Sequence, residues 1–151
     1  MRQEPSMASG AAVADVLGFE RAGFGETTEA SVIAQIIAGL PIASVDRLAS
    51  AVAPDDRAFA FNLVARATLN RRRAEARGKL TAQEGAKVVR LARVWAMARD
   101  VWKTDAAARD FLHRAHALLE NRPPLDIVLE SEFGGPRVEA VLGQLKYGSA
   151  A

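Results

Sequence analysis

Val88, Leu91, Trp95, Ala98 and Trp102 recur at steps of 3, 4, 3 and 4 residues, so this chain has to bury one side of a long helix. The tetrad Thr81-Ala-Gln-Glu84 in front of them reads as a capping box. A threonine there can accept the amide of the glutamate, and the glutamate can reach back to the threonine's own amide. The spacing predicts a helix from Ala82 to about Lys103, with Lys87, Arg90, Arg93 and Arg99 off the stripe.

Shorter elements are predicted on either side. A small helix is expected over 11–17, before Gly18, Gly23 and Gly25 break the chain. In 28–40, apolar residues at 32, 33, 36, 37 and 40 have helical spacing, with Thr28 as N-cap and Gly39 as stop. Pro41 opens a helix with Ile42, Val45, Leu48 and Val52 on one face. Pro54-Asp55-Asp56 is expected to start a short helix through Phe61, followed by a turn at Asn62-Leu63 with Asn62 left-handed. A basic helix over 65–77 ends at Gly78. Asp105 is expected to cap a helix over 106–115, and Pro123-Pro124 to start a single turn, Leu125–Leu129. Gly134-Gly135-Pro136 reads as a break with proline first in the closing helix. That helix buries Val138, Val141, Leu142 and Leu145 and stops at Gly148. The fold class is all-α.

Composition narrows the chemistry. There are no cysteines in 151 residues, so disulfides, thiolate zinc sites and a cysteine nucleophile are excluded, and a reducing cytoplasmic setting is expected. No apolar run is long enough to span a membrane, and the N-terminal twenty residues lack the apolar core of a secretory signal. The phrase GFERAGFGETT superficially resembles a phosphate loop but lacks the Lys-Ser/Thr that would hold phosphate and magnesium. His113 and His116, three apart on one expected helix, have no third metal ligand. Glu130 and Glu132 beside Gly-Gly-Pro read as acids solvating a turn. No metal, no cofactor and no catalytic set is expected; the chain reads as a binding protein.

Charge points to where binding occurs. Residues 54–103 carry 12 basic and 5 acidic side chains, while both flanks are net acidic. Within that block, 41–79 reads as helix, short helix, turn, basic helix, the order of a helix-turn-helix. Arg66, Asn70, Arg73 and Arg77, at steps of 4, 3 and 4, line one face, with Val64, Thr68 and Leu69 turned inward. Arginine and asparagine can bond guanine and adenine bidentately in a major groove, and flanking Arg71, Arg72 and Lys79 suit phosphates. The chain ends in an amphipathic helix and LKYGSAA.

The order LTAQE (80–84), RLAR (90–93), NRPPL (121–125) and LGQLKYG (142–148) resembles the toxin-binding domain of the Xre/MbcA/ParS-type antitoxins. ARATLNRRR (65–73) resembles the third helix of the Xre-like helix-turn-helix that precedes it, although Leu63 stands where that turn usually has glycine and Ala65 where Ser or Pro starts the helix. The chain is expected to divide into an N-terminal extension over 1–27, an Xre-like domain over 28–79 and a toxin-binding domain over 80–151. The resemblance implies an antitoxin whose partner is a RES-domain toxin, an enzyme that degrades NAD or ADP-ribosylates with it; a homodimer with no membrane association is expected. The toxin's cleft is expected to be plugged by the C-terminal end, Leu145, Lys146, Tyr147 and Gly148, supported by Leu142 and by the turn bearing Arg122, Pro124 and Leu125. The Xre-like half is expected to bind operator DNA. The alternative is a DNA-binding transcription regulator with no toxin partner.

Overall fold

The computed structural model describes residues 10–18, 28–75 and 78–148. Among the described residues eight α-helices follow one another: α1 Gly10–Leu17, α2 Glu29–Ala38, α3 Ile42–Val52, α4 Arg66–Arg73, α5 Ala82–Trp102, α6 Asp105–His113, α7 Pro124–Glu130 and α8 Gly134–Tyr147. Single 3-10 turns at Phe59–Asn62 and Ala117–Leu119 complete the described secondary structure, apart from isolated bridges.

Six of the other seven described helices pack on α5, whose 21 residues make a rod about 31 Å long, while α4 packs on α3. Its capping box forms as expected, Thr81 Oγ1 accepting from the Glu84 amide at 3.2 Å and Glu84 Oε1 from the Thr81 amide at 2.9 Å. Lys103, left-handed at φ 69°, ends it. A single stripe understates the burial. Val88, Leu91, Trp95 and Ala98 are inside, but so are Val89, Ala92, Val94, Ala96 and Met97. Five consecutive buried residues, 94–98, point in every direction round the axis, which is the condition of a core helix rather than a surface one. Its partners are α1, α2 and α3, which contact one another through α1, and α6, α7 and α8, which contact one another through α7. Trp102, the last of the stripe, lies beyond the packed body and is 40% exposed.

The N-terminal helix is part of this core. Val13 and Leu17 of α1 are buried, and the buried Ser44 hydroxyl donates to the Leu17 carbonyl at 3.1 Å. On α2, capped by Thr28 as expected, Val32 is buried and Ile36 half-buried, whereas Ile33 and Ile37 face solvent. Gly39 ends it at φ 100°. The chain after α4 is stitched back to this corner: Leu80 donates its amide to the Leu40 carbonyl at 2.8 Å, and Ile42 to Gly78 at 3.3 Å.

Several local expectations are corrected. Residues 54–61 do not make a helix; turns lead into the 3-10 turn at Phe59. Asn62 is not left-handed, because the 3-10 turn runs through it into right-handed Leu63, whose side chain fills the core. The basic helix ends at Arg73. The cap of α6 is Thr104, which accepts from the Ala107 amide at 3.2 Å, and Asp105 is its first residue. Gly134 and Gly135 lie inside α8 rather than breaking the chain before it. The phosphate-loop-like residues 19–27 lie outside the described residues.

Candidate binding surfaces

The basic face begins at Ala65, whose backbone takes an N-cap geometry (φ −52°, ψ 141°) without a side chain to close it. The α4 N-terminus therefore has no side-chain cap, as the departure at Ala65 predicts. Leu69 and Val64 are buried, and Thr68 half-buried. Arg66 is exposed, its guanidinium 4.4 Å from the Phe61 ring centre. Asn70, Arg71 and Lys79 are also exposed, while Arg77 lies outside the described residues. Two arginines make ion pairs with other helices. Arg73 bonds Asp46 of α3 at 2.5 Å, and Arg72, only 14% exposed, bonds Glu84 of the capping box. Arg72 thus ties α4 to the start of α5. Neither pairing is legible in the sequence, since each acid is supplied by another helix.

Burial pushes the Glu84 carboxyl up, but the bonds from Arg72 and Thr81 outweigh it and hold the group below its ordinary value. A depressed carboxylate stabilises the fold above its unfolded pKa, and that stability is lost as pH falls through the folded value. Acidification below the ordinary glutamate range should therefore cost wild-type protein more stability than Glu84→Gln, measured by urea unfolding at stepped pH. Parallel curves for the two proteins would refute this.

The second surface is at the far end. Val138, Val141 and Leu142 bury one face of α8. Leu145, expected inside, is 38% exposed because the helix has by then run past the α5 core. Lys146 bonds Asp100 on the last turn of α5, and Lys103 approaches the same carboxylate at 3.7 Å. The hydrogen bond from Lys146 holds the Asp100 carboxyl below its usual range, and that bond raises the lysine. Tyr147 is 45% exposed, its ring centre 5.4 Å from the Lys146 ammonium. Gly148 follows at φ −73°, so no left-handed turn is made there.

The turn expected nearby divides in two. Arg122 is at the surface, paired with Glu130 at 2.8 Å. Pro124 and Leu125 are buried, as is Leu142; these three hold α7 and α8 in place and offer no surface to a partner. Glu130 is therefore an ion-pair partner of Arg122. The histidines do not share a helix face. His113 ends α6 with Nε2 3.0 Å from the Val52 carbonyl, and His116 Nδ1 accepts from the Leu118 amide. Among the described residues no group of three or more acids and histidines could hold a metal, and no helix is long and apolar enough to cross a membrane.

A short 3-10 turn and a basic helix set against α3, joined through one long helix to a second helical unit, define a helix-turn-helix protein with an added binding domain. Family models agree: an antitoxin Xre-like helix-turn-helix domain matches residues 31–93, and the antitoxin Xre/MbcA/ParS C-terminal toxin-binding domain matches residues 97–148. The chain belongs to the Xre/MbcA/ParS-type antitoxins. The two matches meet within α5, and α1 lies outside both. No curated protein matches the chain.

Proposed function

We propose that this antitoxin neutralises a RES-domain toxin, an enzyme that degrades NAD or ADP-ribosylates with it, by seating the C-terminal end of α8 in the enzyme's cleft. The observation that carries the reading is Tyr147, exposed on the last turn of a helix that Val138, Val141, Leu142 and the Lys146–Asp100 pair hold to α5. A tyrosine has an apolar ring, a hydroxyl and few rotatable bonds, so it fills a pocket at low entropic cost. Starting from a fixed helix lowers that cost further. The chain acts by binding, not turnover. The test is NAD consumption by a RES-domain enzyme that co-purifies with this chain, with and without the purified protein. An enzyme that runs unchanged at a stoichiometric excess would defeat the reading.

Autoregulation through operator DNA is the second part of the proposal. It rests on Arg66, Asn70, Arg71 and Lys79, which remain exposed, whereas Arg72 and Arg73 are engaged with Glu84 and Asp46. Arg71→Ala or Lys79→Ala should weaken binding to all sequences and flatten the salt dependence by about one unit each. Asn70→Ala should instead lower base discrimination, by ~1–3 kcal/mol if the contact is bidentate. Arg72→Ala should chiefly lower stability. Electrophoretic retardation of the promoter across a salt series measures the first two, and absence of retardation at low salt would remove the DNA role. A homodimer is also proposed, with the solvent-facing Ile33 and Ile37 of α2 as apolar surface for it.

A further inference from the structure

Between the ends of α5 and α8 and the loop after α6 lies a groove of about 270 Å³. Its walls are Trp102, Ala107, Phe111, Ala115, His116 and Leu145, and Asp110 and Arg114 line it as well. Trp102 and Phe111 meet at a tilt, 5.9 Å between ring centres, and Phe111 meets the His116 ring edge-on at 5.7 Å. The aromatic floor is thus internally braced, yet Trp102 and Leu145 remain over a third exposed. Below the ~300–1,000 Å³ usual for small-molecule sites, the space suits a side chain better than a cofactor.

Its position says whose side chain. All eight lining residues fall within 97–148, the segment matched by the toxin-binding domain. The groove also joins two surface pieces that are separate in sequence. Leu145 lies on the last turn of α8, beside its exposed end, and the His116 amide donates to the Arg122 carbonyl at 3.2 Å. We infer that this groove is the anchor pocket of the toxin interface, receiving an apolar or aromatic side chain from the toxin surface beside its cleft. The inference rests on the toxin-binding reading above. It assigns affinity to the groove and blockade of the cleft to the terminal residues. Trp102, Phe111 and His116 then belong to the interface although they are remote in sequence from its C-terminal end.

The chain's two tryptophans make the test direct. Protein labelled with 5-fluorotryptophan gives one resonance for buried Trp95 and one for exposed Trp102. On addition of the RES-domain enzyme, the Trp102 resonance should shift and lose its solvent-isotope sensitivity while Trp95 stays put. Ala115→Trp, which fills the groove from an exposed loop position, should weaken toxin binding at least tenfold without lowering the melting temperature. Leu145→Ser serves as a second variant should Ala115→Trp misfold, and should also weaken binding severalfold. If wild-type protein binds the enzyme while Trp102 stays solvent-sensitive and both variants bind as tightly, the groove is not the anchor and the cleft-plugging reading stands. If wild-type protein itself does not bind, both fall together.

Discussion

Deleting residues 146–151 is expected to restore NAD consumption by the toxin while leaving the antitoxin folded and able to bind. The apolar face that holds α8, Val138, Val141 and Leu142, lies upstream of the cut, as does the groove at Trp102 and Leu145. What the deletion removes from the fold is the ion pair of Lys146 with Asp100, both partly open to solvent. Exposed pairs of this kind contribute at most ~1 kcal/mol, and in a protein of this size that shifts the melting temperature by about 2–4 °C. The loss to inhibition is larger because Tyr147 goes with it. Tyr147→Ala should act in the same direction and less strongly, since Lys146 and the helix end still obstruct the cleft. NAD turnover and toxin affinity, measured side by side, check the separation. A truncated protein that still silences the enzyme at a stoichiometric ratio would show that inhibition does not come from the chain end, and the surface at Arg122 would become the better candidate.

Local signals carried well from sequence to structure. The N-cap at Thr28, the capping box at Thr81, the ends at Gly39 and Lys103, and the inward set of α3 each depend on residues within four or five positions of one another. Readings that failed were decided by distant partners. Leu63 looks like a defect in a turn until the core that it fills is known. The ion pairs of Arg72 and Arg73 are invisible in the sequence, because Glu84 and Asp46 arrive from neighbouring helices. The same holds at the candidate toxin surface. Leu145 continues the periodic face of α8, and only the finite length of the α5 core leaves it outside. His113 and His116 differ in role because α6 ends between them. The groove at Trp102 has no sequence signature, since its walls come from α5, α6, the loop after it and α8.

The glycines of α8 provide a sharp test of how that end is built. A Cβ at Gly134 would stand 1.7 Å from the Ile127 carbonyl oxygen and 2.6 Å from its carbon. Both obstacles are backbone of α7, so no side-chain rotation relieves them, and the corner between α7 and α8 has to open. That corner covers Ile127, Val128, Val138 and Leu142, all within 1% of complete burial. Gly134→Ala should therefore cost at least ~3 kcal/mol, in the upper range of single substitutions, and lower the melting temperature by roughly 6–12 °C. Gly135→Ala should cost less, because its Cβ would meet the Arg90 side chain at 2.6 Å, and that chain can move if its bond to the Val128 carbonyl yields. Gly143, two turns further on, meets nothing within 4 Å. Gly143→Ala should stabilise by about 0.5–1 kcal/mol, through the lower conformational entropy of the unfolded chain and the better helix propensity of alanine. Urea unfolding followed by circular dichroism ranks the three. Equal stabilities for Gly134→Ala and Gly143→Ala would mean that α7 and α8 do not meet at Gly134, and the placement of the exposed end of α8 would have to be rebuilt from another contact.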